Sequence, residues 1–378
     1  MKRILLAGGG TGGHIYPLLA VAEQFKRDYS SEEVELHYIG DPGAFEVEFL
    51  GLGITIHKVM TGKIRRYFSP LNLIDIPKTF IGLLQSFGVV YWLMPDVLFS
   101  KGGPGSVGAV IAGWFHRVPI LIHESDAVPG LSNLISARFA KKIAISFESA
   151  AKYFIPPKVV RTGNPIRPGM LAQKMDSSSA KETLGFSKET PLLLVLGGSQ
   201  GSQRINEFII KILKELVPQT QILHQTGLKN FAEVKKLADA SFLDIDVKLE
   251  IKNRYQPIAY FDEITMARAL SAADLVIARA GSGTIFEIAN FSKPSVLIPL
   301  PSAANDHQRE NAYAYSSAGA GIVVEESNFS APIFANQISK FLSSPDLMIR
   351  AGEAGFRFAR PDSAKILAEE VMKLADNN

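Results

Sequence analysis

The sequence predicts an α/β protein of two similar halves, each a mainly parallel sheet covered by helices on both faces. Three observations carry this. Short, continuous apolar runs alternate with helical periods along most of the chain. Each half opens with such a run leading into a glycine-rich turn, Gly8-Gly9-Gly10-Thr11-Gly12-Gly13 in the first and Gly197-Gly198-Ser199-Gln200-Gly201 in the second. The chain has 378 residues, which is long for one core and suits about two domains of usual size.

In the first half the strand-like runs are residues 3–7, 34–39, 54–59, 97–100, 120–123, 142–146 and 159–161. Helical periods fall between several of them, at 15–27, 71–91, 106–115 and 131–139. The second half repeats the scheme. The run 192–196 passes through its glycine turn into a helix across 205–216. Strands are expected at 221–225, 258–261, 275–278, 296–299 and 321–324, with helices at 266–272, 283–289 and about 308–317. A further helical pattern covers 364–372. The repetition is domain-sized, with no short period. Gly163-Asn164-Pro165-Ile166-Arg167-Pro168 breaks any regular element, which puts the boundary there and gives domains 1–163 and 164–359. The polar stretch 173–181 reads as more linker.

Composition excludes several classes. Hydrophobic residues are 47% and charged residues 20%, which is globular rather than disordered. With no cysteine there is no disulfide scaffold, thiolate metal site or cysteine nucleophile. The apolar start of the chain stops at Gly8, too short for a signal sequence, and reads as a strand. The longest uncharged stretch, residues 79–95, falls short of a bilayer span and reads as a buried or interfacial helix. A net charge of +3 does not imply nucleic acid. Charge is uneven, however. Lys58, Lys63, Arg65, Arg66, Lys78, Lys101 and Arg117 face only Asp75 and Asp96 across the most apolar region. That is either a solvated rim around a core helix or a membrane-surface patch.

The first glycine turn follows a strand and precedes a helix, where unpaired N–H groups favour anions. It satisfies G-x-G-x-x-G literally, although Asp41 comes late for the acidic partner of a dinucleotide site. His14 follows at the mouth of this turn, on the ligand side of a parallel sheet, where a site role outweighs a structural one. The second turn is neither a Walker loop nor G-x-G-x-x-G, and its Ser199 offers a hydroxyl to a phosphate. A third turn, Ala280-Gly281-Ser282-Gly283-Thr284, precedes Glu287 by one helical turn; a carboxylate there suits two vicinal hydroxyls, as a ribose presents. Gly102-Gly103-Pro104-Gly105-Ser106 is a fourth. Four such turns split between two domains suggest a cleft holding a diphosphate-linked ligand.

These residues resemble the MurG family, glycosyltransferases that add N-acetylglucosamine to the muramyl-pentapeptide lipid carrier of peptidoglycan synthesis. The likeness runs through residues 8–14 with Pro17, 102–106, His123-Glu124, 163–167, 197–201, 280–287, and Asp306-His307-Gln308 with Asn311-Ala312. It implies a GT-B fold, two Rossmann-like domains facing across a cleft, with a final helix at about 360–378 packing back on the first. The donor would be UDP-N-acetylglucosamine, held mainly by the second domain. The acceptor would be undecaprenyl-pyrophosphoryl-MurNAc-pentapeptide, held by the first.

Carried over residue by residue, Ser199 would contact the diphosphate and Arg167 would lie beside the donor. Ser282, Gly283, Thr284, Ile285 and Phe286 would line its diphosphate and sugar. Glu287 would hold the ribose and Gln308 the N-acetylglucosamine. Thr11, Gly12 and Gly13 would face the donor from the first domain. The uracil would meet backbone near 261–264, with Ile264 the assigned residue, although this segment is one residue longer than the usual pattern. One departure stands out. The pattern His-Glu-Gln-Asn reads His123-Glu124-Ser125-Asp126 here, so Asp126 keeps an acceptor oxygen but replaces an amide donor with charge.

The implied reaction moves the sugar to the C4 hydroxyl of N-acetylmuramate with inversion. It needs a base, for which His14 is the candidate and Glu124 its rival or partner, and stabilisation of the departing UDP. No cofactor and no metal site are expected; Asp244 and Asp246 spell Asp-x-Asp in a stretch with no other site feature. Tyr67, Phe68, Leu71, Leu73, Phe80 and Leu84, beside Lys63, Arg65 and Arg66, imply peripheral docking on an anionic membrane surface, the cytoplasmic face of the bacterial inner membrane. A UDP-N-acetylglucosamine epimerase of the same fold is the main rival. A nicotinamide oxidoreductase would explain the first loop only, and a non-catalytic lipid-binding protein only the basic apolar region.

Overall fold

The computed structural model describes residues 1–10, 12–62, 72–198, 200–242 and 252–377. The chain divides into two compact units, Met1–Pro168 with Arg360–Asn378, and Gly169–Ala359.

The first unit holds a parallel sheet of β1 (Lys2–Gly8), β2 (Val34–Ile39), β3 (Thr55–His57), β4 (Val97–Gly102), β5 (Ile120–Glu124), β6 (Lys142–Ile145) and β7 (Val159–Arg161). Their order is β3-β2-β1-β4-β5-β6-β7. Strand side chains alternate between faces, so continuous apolar runs fill two cores at once. Ile4 and Leu6 of β1 join Leu18, Phe25, Tyr38 and Phe99 on one face. Leu5 and Ala7 join Val90, Leu98, Val110 and Ile122 on the other. The first core is completed by the helix Ser363–Asp376, which brings Leu367, Val371 and Leu374 beside the helix Gly12–Asp28. Lys2 Nζ donates to the Ala375 carbonyl at 2.8 Å, and Lys142 forms an ion pair with Glu370.

Gly163–Pro168 belongs with this sheet. The Thr162 and Gly163 N–H groups donate to the Ile145 carbonyl, and the His123 ring nitrogen Nε2 lies 3.0 Å from the Gly163 oxygen. The uncharged stretch lies in the helix Asn72–Leu93, with Ser86 and Val90 buried. Among the described residues, no helix is long and apolar enough to cross a membrane.

The second unit has β8 (Leu192–Leu196), β9 (Gln221–Gln225), β10 (Tyr255–Ile258), β11 (Leu275–Ala278), β12 (Ser295–Leu297) and β13 (Gly321–Val323), in the order β10-β9-β8-β11-β12-β13. The helix Gln203–Leu216 buries Ile205, Ile209, Ile212, Leu213 and Leu216, positions three and four apart along one stripe. In each unit the strand order reverses beside the opening strand, β1 or β8. A crevice outside the carboxyl ends forms at such a point, and there parallel sheets bind ligands.

Two expectations need correction. The strand expected at 258–261 is Tyr255–Ile258, because Asp262 caps the next helix by accepting from Thr265 N at 2.7 Å and draws the chain out of the sheet. The polar stretch 173–181 is not all linker. Asp176 caps a helix, Ser177–Thr183, that buries Ala180 and sets Lys181 in an ion pair with Asp274 at 2.7 Å. The helices Phe231–Ser241, Ala331–Leu342 and Pro345–Ala359 were also absent from the sequence reading.

Candidate active site

In the first unit, the candidate residues converge at the carboxyl ends of β1, β4 and β5. Gly102 and Gly103 continue β4 with φ of 87° and 91°. A Cβ on Gly103 would lie 3.4 Å from the Gly9 backbone and 3.6 Å from the His14 ring, so the two turns meet backbone to backbone with His14 against them. His14 sits in the first turn of the helix Gly12–Asp28. Burial pushes its pKa down to about 4, helped by the Lys101 charge and opposed by Asp126 and a backbone hydrogen bond at Gly9. Its ring is therefore unprotonated at neutral pH, while the same shift lowers its affinity for a proton. Gly12 and Gly13 precede it, and a Cβ on Gly12 would press on Tyr16 at 3.0 Å. Arg167 stacks its guanidinium on the Tyr16 ring at 4.7 Å, which ties it to the helix that carries His14.

Glu124 ends β5 and is buried. Its carboxylate accepts from Asp126 N at 2.9 Å, Gly130 N at 3.1 Å and Asn133 Nδ2 at 2.9 Å, so it pins its own loop. Burial raises its pKa, with the Asp126 charge adding and Lys101 opposing. Asp126 is half-buried on that loop. The charge it brings acts on both Lys101 and His14.

Lys101 stands out in the sequence only as one of the basic residues across the apolar region, as rim or membrane patch. It is 2% exposed, and its Nζ donates to Ser125 Oγ at 2.9 Å. Its place directly before Gly102-Gly103 was the available signal.

The second unit gathers its candidates at the ends of β8 and β11, which pair through Leu196 and Ala278. Gly198 and Gly201 take φ of 87° and 75°, and a Cβ on Gly201 would lie 2.1 Å from the Thr226 carbonyl oxygen. Gln225 Nε2 donates to the Gly198 carbonyl at 3.1 Å. Ser202 caps the helix Gln203–Leu216. Beside it begins the helix Ser282–Asn290. Ser282, Gly283 and Thr284 are half-buried in its first turn, where N–H groups lack intrahelical acceptors. Ile285 and Phe286 are fully buried, and Ile285 N already donates to the Gly281 carbonyl at 3.0 Å, so their side chains serve the core. Glu287 is half-buried one turn into the helix.

Gln308 lies in the helix His307–Ser317, and its Oε1 accepts from Leu300 N at 3.0 Å. Asn305 and Asp306 ahead of it are both left-handed, with φ of 55° and 56°, a strained entry of the kind found at ligand sites. Ile264 is exposed in the first turn of the helix Glu263–Ala272.

Arg279 also escaped the sequence reading, although it directly precedes the third glycine turn. It is 8% exposed. Its Nη2 donates to Ser202 Oγ at 2.7 Å, its Nη1 to the Ile298 and Pro299 carbonyls at 3.2 and 3.3 Å, and it pairs with Glu326. One guanidinium thus ties the loops after β8 and β12 to the end of β11. Thr11, Ser199, Asp244 and Asp246 lie outside the described residues.

Comparison with known proteins bears on what these two sites serve. The glycosyltransferase family 28 N-terminal domain matches residues 4–145, and the family's C-terminal domain matches 192–365. A Bacillus cereus protein named UDP-N-acetylglucosamine--N-acetylmuramyl-(pentapeptide) pyrophosphoryl-undecaprenol N-acetylglucosamine transferase 2 is 38% identical over 329 residues, 86% of this chain and 88% of the relative. The chain belongs to the MurG family of glycosyltransferases, family 28.

A Legionella pneumophila family member, the corresponding N-acetylglucosamine transferase, is 34% identical over 91% of this chain and 90% of its own. The crystal structure of Acinetobacter baumannii MurG superposes with a TM-score of 0.76 at 24% identity, over 99% of this chain and all of that one. The Neisseria meningitidis UDP-GlcNAc 2-epimerase bound to UDP-GlcNAc gives 0.71 at 12% identity, over 99% of this chain and all of that one, a likeness of fold alone. The fold of this family member is GT-B, as the resemblance implied.

Proposed function

We propose that this protein is an inverting glycosyltransferase. It moves N-acetylglucosamine from UDP-N-acetylglucosamine to the C4 hydroxyl of lipid-linked N-acetylmuramyl-pentapeptide in peptidoglycan synthesis. The observation that carries the reading is the 34–38% identity, over most of both chains, with transferases bearing that name. The site agrees with it. Two adjacent helix starts at β8 and β11 suit a diphosphate, and a neutral histidine in the other unit suits a base.

In this reading Ser199 and the N–H groups of Ser282, Gly283 and Thr284 hold the diphosphate, with Ile285 and Phe286 shaping their turn. Arg167 adds positive charge. Glu287 takes the ribose hydroxyls, Gln308 the acetamido sugar, and Ile264 lies by the uracil. Thr11, Gly12, Gly13 and Asp126 complete the donor contacts. His14 takes the proton of the acceptor hydroxyl as the anomeric bond to UDP breaks, and Glu124 keeps its loop in place.

Radiolabelled UDP-N-acetylglucosamine incubated with a lipid-linked muramyl-pentapeptide should yield labelled lipid and UDP in equal amounts. Sugar-nucleotide turnover that proceeds equally well without acceptor would sink the reading and favour an epimerase. Glu287→Ala should raise KM for the donor by about 10- to 100-fold, the worth of hydrogen bonds to a charged group. The wild-type preference over a 2′-deoxyribose donor should collapse with it; a preference kept intact would remove Glu287 from the ribose.

The acceptor's lipid calls for a docking surface. Ile76, Phe80 and Leu84 are exposed at four-residue spacing on the helix Asn72–Leu93. The side chain of Leu73 is not described, and Lys63, Arg65, Arg66, Tyr67, Phe68 and Leu71 lie outside the described residues. This face docks peripherally on the cytoplasmic side of the inner membrane. Anionic vesicles should co-sediment the protein, and Phe80→Glu with Leu84→Glu should abolish most of it. Binding indifferent to both lipid charge and these substitutions would count against the surface.

A further inference from the structure

The buried ammonium of Lys101 has no part in the transfer as described, yet it occupies the centre of the first unit's site. It stands at the end of β4, between the loop that follows β5 and the turn that carries His14. Among the described residues its one hydrogen-bond partner is a neutral hydroxyl, Ser125 Oγ. Of the two carboxylates that flank that serine, Glu124 already accepts from Asp126 N, Gly130 N and Asn133 Nδ2. A buried cation served by one hydroxyl is costly unless opposite charge lies close. The charges acting on Lys101 are those of Glu124 and Asp126. In turn Lys101 and Asp126 act on His14 with opposite sign, and Lys101 acts on His123, which is buried under the same loop.

We propose that Lys101 is a positioning residue: its buried ammonium, held on Ser125, is the counter-charge of the Glu124–Asp126 loop beside the paired glycine turns against which His14 packs. Lys101 and Asp126 therefore form a balanced pair around His14, and removing either one tilts the site. Lys101→Met keeps the length and apolar stem but leaves two carboxylate charges unopposed, so His14 gains a proton more readily. Asp126→Asn leaves the cation under-compensated, and His14 loses its proton more readily. The kinetic consequence rests on the reading of His14 as the base, whereas the charge pairing does not.

The test is made on the free protein, so it succeeds or fails independently of the transferase assay. Histidine-labelled protein gives the His14 titration by NMR, with the resonance assigned by its loss in His14→Ala. Lys101→Met should move the His14 midpoint up by about one pH unit or more, and Asp126→Asn should move it down. Thermal melting at pH 7 should show both single variants destabilised and the double variant recovering most of the loss. A Lys101 that merely fills space would leave the His14 midpoint unmoved, and additive losses in the double variant would equally overturn the pairing. If Lys101→Met does not fold, Lys101→Gln removes the same charge with a polar side chain, and an unmoved His14 midpoint in that variant overturns the proposal.

Discussion

Replacing His14 with alanine is expected to lower kcat for transfer to the lipid-linked acceptor by about 10²- to 10⁴-fold, the usual worth of a positioned general base. KM for UDP-N-acetylglucosamine should change less than kcat, because most of the donor contacts proposed above, Ser282, Gly283, Thr284, Glu287 and Gln308 among them, belong to the second unit. The pH dependence has a definite sign. Burial holds the His14 pKa at about 4, so its proton-accepting form persists well below the ordinary histidine range. The acid limb of wild-type kcat/KM should therefore fall near pH 4, not near 6.5. Stability follows the same group. An unfolded chain protonates His14 below about 6.5, so its contribution is whole above that pH and is lost as pH falls toward 4. His14→Ala turnover matching wild type at saturating acceptor, with a normal thermal melt, would remove the base role.

The second large effect is expected at Arg279. Arg279→Met leaves Glu326 and Ser202 without their buried partner, and breaking a buried pair on one side costs roughly 3–5 kcal/mol. Denaturant unfolding of the second unit should shift by that amount, and donor affinity should fall with it because the loops after β8 and β12 lose their common tie. Arg279→Lys should recover only part of either loss, since an ammonium cannot reproduce the fork that reaches Ser202 Oγ and two carbonyls. Unchanged unfolding in Arg279→Met would show that the guanidinium is not the tie.

What was legible in the sequence divides along physical lines. Strands such as β1 and β8 announced themselves because burial on both faces demands unbroken apolar runs. The glycine turns were legible because positive φ and close backbone approach leave few alternatives at Gly103 and Gly201. The place of His14 against the paired turns was legible because it directly follows the first of them. The helix Ser177–Thr183 was hidden because a cap and an ion pair, not an apolar stripe, hold it. Lys101 and Arg279 were hidden for a related reason. Their partners stand 24 and 77 residues away, and a charge is read as exposed until its counter-group is found.

The returning helix Ser363–Asp376 sets an order of events during synthesis. The first sheet leaves the ribosome early, but the face bearing Phe25, Leu36 and Phe99 waits for Leu367, Val371 and Leu374. All of the second unit, by contrast, has been made before that helix emerges. The half translated first is thus the half finished last. A nascent chain holds that apolar face uncovered throughout the making of its other half, an interval in which a holdase chaperone has something to protect.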